Sequence, residues 1–277
     1  PGRCCAVGAD PWSRRLTTIA VLQARSSSSR LPGKVLLPIL GEPMLSRQIE
    51  RIGRAKSLDG IVVATSTATD DDAIETLCGK MHIDCFRGAL DDVLGRVDSC
   101  AAAFGADQVV RLTGDCPLAD PDVIDRVVHT HAEKQSDYTS NVHPPTWPDG
   151  LDVEIMRRGV LATAAAEARL PSEREHVTPF IVARGDRFAL SNVETDPDRS
   201  DLRLTVDEPR DFELVQRIYE ALLPTIPDFG IDDVLALIDG NPQMLDVNAG
   251  IERNEGVQRS LDQDAKFLAE GKPRNAS

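Results

Sequence analysis

Short apolar runs alternate along the chain with longer stretches in which apolar residues recur every three to four positions. Residues 19–22 (Ile-Ala-Val-Leu), 61–64, 84–86 and 108–112 predict buried strands. Residues 45–54, with Leu45, Ile49 and Ile52 on one face, predict a helix. So do 70–77, opening on Asp70-Asp71-Asp72, and 93–104. Residues 121–132 start at Pro121 and carry Val123, Ile124, Val127 and Val128 at helical spacing. This βαβα alternation predicts an α/β fold with a largely parallel sheet.

The middle of the chain is less regular. Residues 138–141 predict a strand end, and 143–150 a loop with a Pro148-Asp149-Gly150 turn. Residues 151–155 alternate apolar and acidic positions as an edge strand would. Residues 161–169 read as an alanine-rich helix, and 202–206 as another strand with Asp207 at its end. Helices follow over 209–223 and 231–238, and another is expected near 262–271 before a disordered tip. Residues 1–16 predict a flexible extension without a signal-peptide apolar core, 17–240 one α/β domain with an insert near 138–180, and 241–277 a partly disordered C-terminal extension. No internal repeat is visible.

The 277-residue chain is 41% hydrophobic, enough for a sizeable core, and its 45 acidic against 31 basic residues give a net charge of -14. That balance argues against nucleic-acid or anionic-membrane partners, which need a broad basic face. Aromatic content of 4% argues against a base-stacking platform. The six cysteines (Cys4, Cys5, Cys78, Cys85, Cys100, Cys116) show no zinc-ligand spacing and suit free thiols in a reducing, cytoplasmic setting. No run approaches the roughly 18 apolar residues of a membrane span.

Against this acidic background, residues 23–34 hold Arg25, Arg30 and Lys34, four serines, a glycine and no acid, directly after the first strand. Backbone N–H groups, hydroxyls and fixed cations after a strand suit a small polyanion such as a triphosphate. In an open α/β sheet, ligands bind beyond the carboxyl ends of the strands, and Asp115 and Asp207 also fall there. Two carboxylates at the ends of separate strands can converge on Mg²⁺, with phosphate oxygens completing its shell. Either Asp alone could equally be a helix cap, and Asp207 before Glu208-Pro209 suits that role.

Ala20-Val-Leu-Gln-Ala-Arg25, with Ser29-Arg30-Leu31-Pro32-Gly33-Lys34, resembles the opening signature of the CMP-sugar synthetases, the cytidylyltransferases that activate Kdo and sialic-acid-like nonulosonates. Thr113-Gly-Asp115-Cys-Pro117 resembles their G-D-x-P metal loop, and Val206-Asp207-Glu-Pro209-Arg-Asp211 their V-D-x-P-x-D segment. More closely, the chain resembles the branch named for the spore coat polysaccharide protein SpsF. Shared with that branch are Phe86-Arg87-Gly88, Asp92-Val-Leu94, Pro148-Asp-Gly-Leu-Asp-Val-Glu154, Arg174-Glu-His-Val-Thr-Pro179 and Arg253-Asn-Glu-Gly256.

The resemblance implies a Rossmann-like, GT-A-like nucleotidyltransferase fold: a three-layer α/β/α sandwich around a mostly parallel mixed sheet. It implies transfer of CMP from CTP to an acidic sugar with release of pyrophosphate, for a surface polysaccharide or glycan. Arg25, Lys34, Asp115 and Asp207 would be catalytic, with Asp115 and Asp207 binding Mg²⁺. Gln23, Ala24, Arg25, Ser29, Arg30, Lys34, Thr65, Arg87 and Thr113 would contact the nucleotide. Arg174, Glu175 and His176 would face the acceptor, and the insert near 138–180 would also serve a homodimer. Two features remain open at this level. Thr113 replaces a glutamine of the Kdo enzymes, and His176 could be a satisfied half-buried histidine. Rival readings are a nucleotidyltransferase for a phosphonate or polyol phosphate, a glycosyltransferase holding metal at Asp70–Asp72, and a non-catalytic nucleotide-binding homologue.

Overall fold

The computed structural model describes residues 16–251 and 255–270. The expected N-terminal extension with Cys4 and Cys5, save its last residue, lies outside the described residues, as do Arg253, Asn254 and the tail after 270. The first half runs β1 (Thr18–Gln23), a small hairpin of β2 (Pro38–Ile39) and β3 (Glu42–Pro43), α1 (Met44–Ile52), β4 (Gly60–Ser66), α2 (Asp72–Met81), β5 (Asp84–Gly88), α3 (Val93–Ala103), β6 (Gln108–Thr113) and α4 (Pro121–Lys134). The second half runs β7 (Tyr138–Ser140), β8 (Glu154–Arg157), α5 (Arg158–Glu167), α6 (Pro171–His176), α7 (Pro179–Val182), β9 (Leu190–Asn192), α8 (Pro209–Leu222), α9 (Ile231–Gly240) and α10 (Glu255–Glu270).

Seven strands form one sheet in the order β5-β4-β1-β6-β8-β7-β9. Its pairings are parallel except those of β8, which runs antiparallel to both β6 and β7. β1 is apolar from Ile19 to Leu22 because both of its faces are covered. Ala20 and Leu22 join the core under α1, α4, α8 and α9, whereas Ile19 and Val21 join the core under α3, α5 and α7. The result is the expected three-layer α/β/α sandwich with a mostly parallel mixed sheet.

The chain leaves β1 toward β4 and β5 on one side and returns to β6 on the other. The β1 and β6 ends therefore diverge at a topological switch point, where an open α/β sheet leaves a crevice.

Two expected strands differ. Residues 151–155 are not an edge strand: β8 begins at Glu154 and lies inside the sheet, with Glu154, Ile155 and Met156 buried. Residues 202–206 belong to no sheet strand. They run extended, bonded by Leu204 N–H to the Asp149 carbonyl (2.7 Å) and by Val206 N–H to the Asp115 carbonyl (2.8 Å). Among the described residues no helix is long and apolar enough to cross a membrane.

Candidate active site

The switch point is built by close approach of two loops. In the parallel β1–β6 register Gln23 lies opposite Thr113, and Gly114 N–H donates to the Gln23 carbonyl at 2.8 Å. A Cβ on Gly114 would stand 3.1 Å from both that carbonyl and the Ala24 Cβ, so a larger residue would push the loops apart. Asp115 follows immediately. Its carbonyl receives Val206 N–H, which brings the 202–207 segment and Asp207 to the same place. Gly150 makes that crossing possible: it has φ +107°, and a Cβ there would lie 2.5 Å from the Thr205 nitrogen.

Lys34 is the centre of the arrangement. It opens a short 3₁₀ turn and is only 8% exposed, so its ammonium needs partners. It donates to the Val206 carbonyl (2.7 Å) and to Asp207 Oδ1 (2.9 Å), and lies 3.7 Å from Asp115 Oδ2. Arg30 pairs with Asp207 Oδ2 at 2.9 Å. Behind them Arg203, also largely buried, joins Asp149 (3.0 Å), Asp207 (3.3 Å) and Asp211 (2.9 Å). Asp211 accepts the Asp207 and Glu208 N–H groups and Asn248 Nδ2–H, fixing the turn that carries Asp207. Burial alone would raise the Asp207 carboxyl, but Lys34, Arg30 and Arg203 hold it below the usual carboxylate range.

The two carboxylates therefore do converge, and the cation between them is the Lys34 ammonium. Two carboxylates with hard oxygen donors suit Mg²⁺ provided phosphate oxygens and water complete the shell. Among the described residues no group of three or more His, Cys, Asp or Glu could hold a metal by itself.

The other residues singled out by sequence occupy several places. Arg25 follows β1 and pairs with Glu175 of α6 at 2.9 Å, both side chains about two-fifths exposed. They line a small cleft of about 60 Å³ with Gln23, Ala24, Val93 and Arg96. The Gln23 side-chain oxygen accepts from Arg111 Nε at 2.9 Å. Ser29 is exposed on the cationic loop, whereas Thr65 is fully buried at the end of β4. Arg87 caps the neighbouring turn through the Ser66 and Ala68 carbonyls (2.9 and 2.8 Å) and pairs with Asp72 and Glu75. Thr113 pairs with Cys116 through their side chains, and its carbonyl accepts from Gln48 Nε2. Arg174 binds Asp92, the N-cap of α3, and His176 Nε2 meets Ser260 Oγ of α10 at 2.8 Å. Burial and then Arg111 depress the His176 pKa. Arg174, Glu175 and His176 thus point to three different partners. The Asp70–Asp72 run has Asp72 tied to Arg87 and Asp71 buried, which leaves the glycosyltransferase reading without a free acid pair.

Sequence reasoning missed Arg203, Asp149 as its partner, and Arg96, which is 3% exposed with its Nε unpartnered beside the cleft. For Arg203 a signal was present, a lone cation between Leu202 and Leu204, four residues before Asp207.

A cationic loop facing two carboxylates across the switch point of a mostly parallel sheet defines a Rossmann-like nucleotidyltransferase. More narrowly, the chain belongs to the cytidylyltransferase family, whose family model matches residues 19–234. It is 31% identical to the spore coat polysaccharide biosynthesis protein SpsF of Bacillus subtilis over 230 residues, 80% of this chain and 94% of that protein. Among solved structures, a cytidylyltransferase from Leptospira borgpetersenii superposes with a TM-score of 0.81 at 31% identity, covering 86% of this chain and all of the other. A CMP:2-keto-3-deoxy-manno-octonic acid synthetase complexed with CTP shares the fold at a TM-score of 0.56 and 18% identity, covering 74% of this chain and 99% of that one.

Proposed function

We propose that this protein transfers CMP from CTP to the hydroxyl of an acidic sugar and releases pyrophosphate, in a pathway to a surface polysaccharide or glycan. The observation that carries this reading is the convergence of Lys34, Arg30, Asp115 and Asp207 beside Arg25 at the switch point. The SpsF relative, a spore coat polysaccharide biosynthesis protein, supports the polysaccharide pathway, and the acidic-sugar acceptor follows from the resemblance of residues 20–34, 113–117 and 206–211 to the CMP-sugar synthetases.

In the reaction the sugar hydroxyl oxygen attacks the α-phosphorus and gives up its proton to water, the bond from that phosphorus to the bridging oxygen breaks, and pyrophosphate leaves. Arg25, Arg30 and Lys34 hold the triphosphate and offset the charge that grows on the leaving group. Asp115 and Asp207 would hold Mg²⁺, which when bound polarises the α-phosphate and lowers the pKa of a nearby hydroxyl. Held below the usual range by Lys34, Arg30 and Arg203, the Asp207 carboxyl stays ionised and is a poor proton acceptor. The Arg25–Glu175 pair is exposed enough to be worth about 1 kcal/mol or less, so a phosphate can replace Glu175 easily. Gln23, Ala24, Ser29, Thr65, Arg87 and Thr113 are assigned to the nucleotide side. Arg174, Glu175 and His176, with the 138–180 region, are assigned to the acceptor side and a homodimer contact of a cytoplasmic enzyme.

The test is pyrophosphate release with each of CTP, UTP, ATP and GTP against a panel of ulosonic and nonulosonic acids, with Mg²⁺. Release that requires CTP and one of the acids is expected. Absence of CTP-dependent release with every acid would sink the proposal.

A further inference from the structure

Asp71 closes the 3₁₀ turn between β4 and α2 and is 1% exposed. It stands at the N-cap position of α2, yet its side chain makes no cap bond to that helix. Its oxygens point to the ends of β1 and β4 instead. Oδ1 accepts Ser26 N–H at 2.7 Å, and Oδ2 accepts Ser66 Oγ–H at 2.5 Å and Ser66 N–H at 3.2 Å. β1 and β4 are neighbours in the sheet, and one carboxylate ties the chain beyond β1 to the last residue of β4.

Ser26 is the junction of the cationic loop. Its carbonyl accepts N–H from Ser28 and from Gly33, both at 2.9 Å. Gly33 immediately precedes Lys34, and Arg25 immediately precedes Ser26. Whatever fixes Ser26 therefore fixes the two ends of the segment that presents Arg25, Arg30 and Lys34. Charge-assisted bonds from a buried carboxylate to backbone N–H groups are stronger than those of an ordinary hydroxyl N-cap. Burial alone would push the Asp71 carboxyl up, but its bonds from Ser66 and from Ser26 N–H hold it below the usual range.

We propose that Asp71 is a positioning residue for the triphosphate loop: it leaves α2 uncapped and acts through Ser26 to hold Arg25, Arg30 and Lys34 in place. The role of the loop rests on the CMP-transfer reading, whereas the anchoring itself does not.

The experiment compares the full-length wild type with Asp71→Asn, with Ser66→Ala as a milder disruption and Asp70→Asn as an exposed neighbouring control. Amide hydrogen exchange of the nucleotide-free proteins is read at Ser26, Ser28 and Gly33 and, as an internal reference, at 19–22 and 61–64. CTP affinity is then measured by calorimetry. In Asp71→Asn the loop amides should exchange about tenfold faster and the CTP dissociation constant should rise about tenfold, with the strand amides unchanged. Ser66→Ala should move both in the same direction by about two- to threefold, and Asp70→Asn neither. Loop exchange unchanged in Asp71→Asn, loop and strands accelerating together, or a loosened loop that binds CTP as the wild type does, would each overturn the proposal. A wild type that fails to bind CTP would count against the CMP-transfer reading. The exchange data would still decide the anchoring, and inorganic triphosphate would replace CTP as the probe of the loop.

Discussion

The two halves of the sheet solve the problem of placing polar residues in opposite ways. In the parallel half, residues 19–22 of β1 and 61–64 of β4 are apolar, and Arg25, Arg30 and Lys34 sit in the segment beyond β1. On the β8-β7-β9 side, charge is carried inside the sheet itself. Glu154 of β8 is buried, bonded to Arg111 of β6 and to Tyr138 Oη of β7 at 2.5 Å. Burial would raise its carboxyl, but Arg111, Tyr138 and Thr178 bring it below the ordinary range. Arg111 reaches on to Gln23 at the crevice. The nucleotide side keeps its cations on a loop that a ligand can reorganise. The other side fixes its charges in a network that a ligand cannot displace cheaply.

Substitutions should separate the two. The largest effect is expected for Lys34→Met, which removes the cation from between Asp115 and Asp207. CTP-dependent turnover should fall about 10²–10³-fold, read as kcat/KM from pyrophosphate release. The same variant should bind Mn²⁺ more tightly than the wild type in the absence of nucleotide, as followed by electron paramagnetic resonance. Unchanged Mn²⁺ affinity would mean that Lys34 does not hold the metal's place.

Next comes Glu154→Gln. It leaves the Arg111 charge buried without its counter-ion and should cost about 3 kcal/mol of unfolding free energy in urea. A loss of CTP affinity without a loss of stability would contradict its assignment to the framework.

A pH effect of similar origin is expected at His131. Its Nδ1 meets Thr139 Oγ1 at 2.9 Å, and burial, then Arg157, lowers its pKa to about 4. The unfolded chain takes up this proton near the ordinary histidine value of about 6.5, the folded protein only near 4. Between those values the unfolded state holds more protons. The contribution is whole above about pH 6.5 and is lost as pH falls toward 4, about 3 kcal/mol in all. His131→Gln should flatten that part of the stability profile in urea titrations at pH 7 and pH 4.5.

The smallest effect is expected for Arg174→Ala. It frees Asp92 and should raise the KM of the acceptor severalfold while leaving that of CTP within about twofold. The reverse pattern would move Arg174 to the nucleotide side.

The first half of the fold was legible because each element there buries one regular face. Runs such as 19–22 and 108–112 are strands buried on both sides, and 121–132 is an amphipathic helix with its proline at the start. Residues 202–206 misled for a physical reason. Leu202, Leu204 and Val206 alternate and are buried as a strand's would be, but their backbone bonds go to the loops at Asp149 and Asp115. Periodicity reports which side chains are buried and not which backbone they pair with. The acid at 154 made 151–155 look solvent-facing, since sequence does not display a buried arginine partner two strands away in the chain. β9, α6 and α7, each six residues or fewer, are too short to set up a period.

At the site, the order of the cationic loop, Asp115 and Asp207 was enough to bring them together. Their geometry was not, because nothing in the sequence says that Lys34 would sit between the carboxylates or that Arg203 would support them. Nor does it distinguish Asp71 from Asp70 and Asp72, three equal acids of which one is turned inward.

The most direct test of the central claim is calorimetric titration of CTP into wild type and Asp207→Asn, each with and without Mg²⁺. Mg²⁺ should strengthen CTP binding to the wild type about tenfold or more and have little effect on Asp207→Asn. Equal Mg²⁺ enhancement in both proteins would contradict it.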